Sequence, residues 1–127
     1  MKKIKVIKTN KAPLPVSAYS QAIIYDKLIF CSGQLGIDPR TNLLVKGIRR
    51  QTEQALLNIK HILNAGNSDL DKVLKVNIFI KNIKDFKIVN EEYIKFFKKH
   101  LPARTTIVVK DLPLKALIEI DVIAICK

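Results

Sequence analysis

Arg104 opens a β-branched run in the stretch LPARTTIVV, just beyond Pro102, which halts a helical pattern. The chain is rich in lysine, and its other arginines are Arg40, Arg49 and Arg50. A planar guanidinium grips a carboxylate through two parallel hydrogen bonds, which an ammonium cannot do. Two readings of Arg104 are open on residue type: a clamp for a ligand carboxylate, or a structural ion pair with a carboxylate of the chain itself. Glu119, flanked by Ile118 and Ile120, suits either holding a water or serving as that ion-pair partner. Asn90 shares a helical face with Phe86, Tyr93 and Phe97, and Tyr19 sits where a loop enters a strand.

Other chemistries lack their residues. There is no P-loop, GxGxxG or CxxC. His61 and His100 lie in helical patterns without Cys or carboxylate neighbours at ligand spacing, so neither reads as a metal ligand. Ser32, in CSGQ, lacks the GxSxG elbow and an obvious base. An enzyme built on this sequence works without a side-chain nucleophile.

The 127 residues suffice for a single domain, 1–127, and 48% of them are hydrophobic, which rules out a disordered chain. The net charge of +12 raises nucleic acid as a partner. The lysines are spread along the chain, however, and no block reaches five or six like charges. No aromatic platform interleaves with basic residues, and no histidine pair suits strand cleavage, so RNA is the weaker alternative. Heavy use of Ile, Lys and Asn fits AT-biased coding. Cys31 and Cys126 lie in apolar strand-like runs and read as buried free thiols of a reducing, cytoplasmic protein. The segment from Thr9 to Pro15 interrupts any signal-peptide core, and no apolar run approaches the ~18 residues of a membrane span.

Spacing predicts the elements that must position these residues. Lys3 to Lys8 alternates as a strand, and QAIIY-DK-LIFCSG reads as a hairpin turning at Asp26-Lys27. Gly36, Asp38, Pro39 and Asn42 mark a loop. Ile48 to Ala65 is an amphipathic helix with Gly66 as its stop. A strand covers Val73 to Lys81, a second helix runs from about Asp85 to His100, and strands follow at Arg104–Lys110 and Ile118–Cys126. The order β-ββ-α-β-α-ββ argues an α+β domain with two helices on one sheet face. The opposite face, with Ile123 and Ile125 beside Glu119 and Asp121, is not cleanly polar. That face calls for a second subunit. A simple hairpin of the last two strands would set Glu119 about 17 Å from Arg104. A shared site therefore needs non-adjacent strands or a second subunit.

The stretches PVSAYSQAI, IFCSGQLGIDPRT, QTEQALLNIKHIL, KVNIFIKNIKDFKIVNEEYIKFF, PARTTIVV and IEIDVIAI, in this order, closely resemble the RidA (YjgF-type) family of reactive-intermediate imine deaminases. The resemblance implies a chorismate-mutase-like fold, a sheet of about six strands, and a homotrimer with sites between subunits. It also implies hydrolysis of enamines and imines, such as 2-aminoacrylate and 2-aminocrotonate, to 2-keto acids and ammonia. Pyridoxal-phosphate-dependent dehydratases release these substrates; the family itself uses no cofactor or metal. By the same resemblance, Arg104 holds the substrate carboxylate and Glu119 assists the water. Tyr19, Ser32, Gly33 and Asn90 line or shape the cleft. Thr106 stands where some members carry Cys, and its backbone would help place the water. A cleft that binds keto acids without turnover is a further alternative.

Overall fold

Thr52, Ala55, Leu56, Ile59, Ile62 and Leu63 recur at helical spacing, and all are buried. A computed structural model describes residues 2–127. In chain order its elements are β1 (Lys5–Ile7), β2 (Ala22–Tyr25), β3 (Leu28–Leu35), β4 (Ile37–Asp38), β5 (Leu43–Leu44), α1 (Ile48–Ala65), β6 (Val73–Ile80), α2 (Phe86–Tyr93), β7 (Ala103–Val108) and β8 (Ile118–Ile125). The main sheet is ordered β1-β2-β3-β8-β6-β7, and only β6 and β7 pair in parallel. It is a mixed six-stranded sheet in an α+β domain, as the spacing predicts.

The buried stripe of α1 packs on β3 and β8, and alternate residues of the central strands are buried on the helix side: Val76, Ile78 and Ile80 of β6, and Ile118, Ile120 and Val122 of β8. Successive strand residues point to opposite faces, so the intervening residues form an open face that carries no helix. Phe30, Ile107 and Ile125 of that face are all more than 40% exposed.

Three local expectations are corrected. The 36–42 region is not simply a loop: β4 and β5 pair as a short hairpin, with the Asp38 carboxylate accepting from Arg40 N at 2.9 Å. Gly66 does not take the left-handed conformation at the end of α1; Asn67 does, at φ 59°. Gly66 is needed for contact, since a Cβ there would meet Ile29 Cδ1 at 2.7 Å. The second helix stops at Tyr93 and does not continue to His100. Residues 94–96 tighten into turns, and the chain beyond is pinned to the start of β6. His100 Nε2 meets Val73 O at 2.7 Å, and Lys99 pairs with Asp71 at 3.1 Å. These contacts override an apolar periodicity that still runs to the buried Phe97. The pairing of the last two strands, left open by the sequence, is also settled: β7 and β8 are non-adjacent, because β6 lies between them.

A buried carboxylate ties the two helices together. Glu92, 2% exposed, accepts from Lys95 Nζ at 2.9 Å and from Arg49 Nη1 at 2.6 Å. Lys95 and Arg49 hold its carboxyl below the ordinary glutamate range against the opposing effect of burial. The contribution is therefore present above the unfolded pKa and lost as pH falls through the folded one. Arg49→Met should lower the urea midpoint at pH 7 more than Arg50→Met, whose guanidinium makes no hydrogen bond among the described residues. Equal midpoints would show that the clamp adds nothing.

Candidate active site

The register of the sheet decides which predicted residues meet. Arg104 pairs with Val76 and Glu119 with Phe79, both on β6, and Val76 in turn pairs with Val122. That offset separates the Cα atoms of Arg104 and Glu119 by about 14 Å. Their faces also differ. Arg104 shares the helix-covered face with Val76, whereas Glu119 alternates with buried Ile118 and Ile120 and lies on the open face. Within one chain the two are therefore neither an ion pair nor a joint site.

Around Arg104, α2 supplies residues at helical spacing. Asn90 Oδ1 accepts from Arg104 Nη2 at 2.6 Å. The Arg104 Cζ lies 4.7 Å from the Tyr93 ring centroid and 5.7 Å from that of Phe86. Tyr93 stacks at 4.5 Å on Phe97. Burial pushes the Tyr93 phenol up to about 12, with the Arg104 charge opposing. Asn90, Tyr93, Ile94, Leu101, Pro102 and Arg104 line a cleft of about 310 Å³. Among the described residues, Arg104 has no carboxylate partner. The internal ion pair left open by the sequence is thereby removed.

β7 is a sheet edge, and its phase is fixed by the hydrogen bond from Val109 N to Ile80 O at 2.9 Å. In a parallel pair, alternate residues bond the neighbouring strand. The odd-numbered residues of β7 therefore bond β6, and the backbone N–H groups of Arg104 and Thr106 face outward along the free edge. The Thr106 side chain is on the helix-covered face opposite Ile78, and its buried Oγ1 has no hydrogen-bond partner among the described residues.

The other predicted residues gather around β3. A bulge interrupts its pairing with β8 between Cys31 and Gln34. Gly33 lies in it, and a Cβ there would fall 2.7 Å from Glu119 Oε2, so only glycine leaves room for that carboxylate. Ser32 Oγ donates to Ser20 O at 2.6 Å and Ser32 N to Gln21 O at 2.9 Å, anchoring the half-exposed Tyr19 segment. The Ser32 hydroxyl is thus engaged in holding a loop. Burial first, and then the nearby Asp121 charge, raise the Glu119 carboxyl above the ordinary range. Asp121 is held by Asn77 Nδ2 at 2.9 Å.

Sequence reasoning placed Phe86 and Tyr93 on the Asn90 face without assigning them to Arg104; their spacing was the available signal. It placed Asp121 on the face of Glu119 by strand alternation without giving it a part in the site. It missed Gln21, whose side chain accepts from Thr9 N at 2.7 Å and donates to Thr9 O at 3.0 Å and Pro13 O at 2.9 Å. The buried Cys31 thiol is pushed up to about 12 by burial, then by Asp121, and is unreactive. Both cysteines are free. No helix among the described residues is long and apolar enough to cross a membrane.

The mixed sheet with two helices on one face is the architecture of a group of solved α+β proteins. A putative endoribonuclease from Thermotoga maritima is 41% identical, with a TM-score of 0.93 over 97% of this chain and 98% of its own. RidA from the Antarctic bacterium Psychrobacter sp. is 37% identical, with a TM-score of 0.94 over 95% of this chain and 98% of its own. The rat protein named 2-iminobutanoate/2-iminopropanoate deaminase is 43% identical over 122 residues, covering 95% of this chain and 89% of its own. The family model described as Endoribonuclease L-PSP matches residues 9–126. The chain belongs to that family, which is the RidA/YjgF family its motifs resemble.

The raised Glu119 carboxyl gives a direct test of the open face. In Asp121→Asn, loss of the neighbouring negative charge should move the Glu119 titration midpoint down, read by ¹³C NMR of the side-chain carboxyl. A midpoint that stays put would remove Asp121 as a cause.

Proposed function

We propose that this protein hydrolyses short-lived 2-imino acids, formed when dehydratase products such as 2-aminoacrylate and 2-aminocrotonate tautomerise, to 2-keto acids and ammonia. The observation that carries the reading is Arg104: a guanidinium held in a cleft by a neutral amide and two rings, without a carboxylate of its own chain. A substrate carboxylate supplies the missing partner in the bidentate geometry that arginine favours. The rat relative's name agrees with this chemistry.

The site forms between subunits of a homotrimer. Arg104, Asn90 and Thr106 belong to one half, while Glu119, Gly33, Ser32 and Tyr19 belong to the other. The two halves lie on opposite faces of each sheet, so one copy brings its Glu119 half to the β7 edge of the next. The exposed apolar residues of the open face supply the driving force for association. The imine carbon is already electrophilic. Water adds to it, the C–N bond breaks, and nitrogen leaves as ammonia with protons returned from water. Anchoring the carboxylate and orienting one water is enough to lower a modest barrier. Ionised Glu119 accepts a proton or a hydrogen bond from that water, aided by the outward Thr106 N–H.

The family description and the charge of +12 favour a second reading, action on RNA. Both histidines, though, are engaged with backbone carbonyls, His61 with Lys11 O at 2.9 Å and His100 with Val73 O at 2.7 Å.

A dehydratase generating the enamine in place, with semicarbazide as a competing trap, should show faster keto-acid release when the protein is added. Arg104→Lys should lose most of this acceleration, because a point charge cannot hold the carboxylate plane. Glu119→Gln should still bind 2-ketobutyrate but turn over about 10²-fold more slowly. No acceleration by the wild type, with RNA cleavage that survives Arg104→Ala, would favour the second reading.

The assembly has its own check. Sedimentation should give three times the chain mass of 14.4 kDa. Phe30→Asp combined with Ile107→Asp should return the protein to monomer and abolish turnover. An active monomer would refute the shared site.

A further inference from the structure

Arginine side chains at a strand edge usually sample many rotamers, and a clamp that swings binds poorly. Arg104 is built against this. Phe86, Asn90 and Tyr93 stand on one face of α2, with the Cα atoms of Phe86 and Tyr93 two helical turns and about 10 Å apart. The guanidinium contacts both rings, its Cζ 5.7 Å from the Phe86 centroid and 4.7 Å from the Tyr93 centroid. Asn90 Oδ1 holds Nη2 from the middle of the same face at 2.6 Å. Tyr93 is 4% exposed, and its hydroxyl has no hydrogen-bond partner among the described residues. The residue is therefore retained in the core at the cost of an unsatisfied polar atom, and its visible engagement is through the ring.

We infer that Tyr93, assisted by Phe86, is a positioning residue that fixes the plane of the Arg104 guanidinium. Asn90 takes one of the two Nη2 hydrogens, and the other stays free to form a parallel pair of donors with a neighbouring guanidinium N–H toward a planar carboxylate. Cation–π contact over each ring sets the tilt of the fork, and the amide sets its rotation. Tyr93 and Phe86 act through Arg104. The inference deepens the reading of Arg104 as a carboxylate clamp and rests on it for the kinetic effect, but not for the geometry.

The test has two arms, each using the full chain. In the first, the Arg104 Nε–Hε resonance, assigned by its disappearance in Arg104→Lys, is followed by ¹⁵N NMR. The wild type should show an upfield ring-current shift and the slow local motion of a fixed side chain. Tyr93→Leu should abolish both, Tyr93→Phe should retain both, and Phe86→Leu should weaken them. In the second arm, Tyr93→Leu should raise KM for the imine, and Kd for 2-ketobutyrate, about tenfold while kcat changes less than threefold. Tyr93→Phe should recover most of that binding. An Arg104 signal equally shifted and rigid in Tyr93→Leu would overturn the inference, as would Tyr93→Phe behaving like Tyr93→Leu. If Tyr93→Leu does not fold, the more exposed Phe86→Leu decides the same question: an unchanged Arg104 signal refutes the cage. A wild type that fails to hydrolyse imines would remove the proposed activity and leave the NMR arm to decide the cage.

Discussion

The parallel pairing of β6 with β7 is the constraint on which the site depends. Parallel neighbours cannot be joined by a tight turn, so the chain must cross over the sheet between them. The crossover here is α2 with the turns that follow it, and it places the Phe86–Asn90–Tyr93 face above the first residues of β7. Arg104 meets that face because it pairs with Val76, whose side chain is buried on the helix side. The same pairing leaves β7 at the edge of the sheet, with the N–H groups of Arg104 and Thr106 turned outward. An antiparallel hairpin of β7 with β8 would have hidden that edge and put no helix over the arginine.

Elements governed by local periodicity were legible in the sequence. The apolar stripe of α1 ends where it was expected to, and the Asp26-Lys27 turn forms with Asp26 at φ 57°, a conformation that Asp tolerates better than most residues. The alternation of β8 correctly separated a buried side from a mixed one. Features set by distant contacts were not legible. The early end of α2 depends on His100 and Lys99 reaching back to Val73 and Asp71, which no window around residue 95 contains. Strand order was equally hidden, because the loops around residues 82 and 112 do not encode which strand their successors will join. Arg104 and Glu119 could be singled out by residue type, while their opposite faces required the register.

That opposition has an electrostatic meaning. Arg104 and Glu119 on the same face of neighbouring strands would satisfy each other, and a partly buried pair of that kind is costly to break. A ligand carboxylate would then have to displace an internal one. The sheet prevents this by keeping a strand between them and by turning them to opposite sides. Arg104 is met only by a neutral amide and two rings, and its charge remains available. Glu119 is met by Asp121, which cannot neutralise it, and its raised affinity for protons comes first from burial and then from that neighbouring charge. The cost is that the two groups do not meet within one chain, which is why the proposed reaction calls for a second copy at the apolar open face.

The presence of arginine in a chain that otherwise prefers lysine follows from the same geometry. A lysine at position 104 could donate to Asn90 and carry the same charge. It could not lie as a flat group against Phe86 and Tyr93, and it could not offer two parallel donors to one carboxylate. The preference for lysine elsewhere in the chain therefore meets a local limit. At this position the shape of the cation matters as much as its sign. The overall charge of +12 says little about the site, since it is spread along the chain, whereas the half-buried fork of Arg104 is held by contacts that a point charge cannot make.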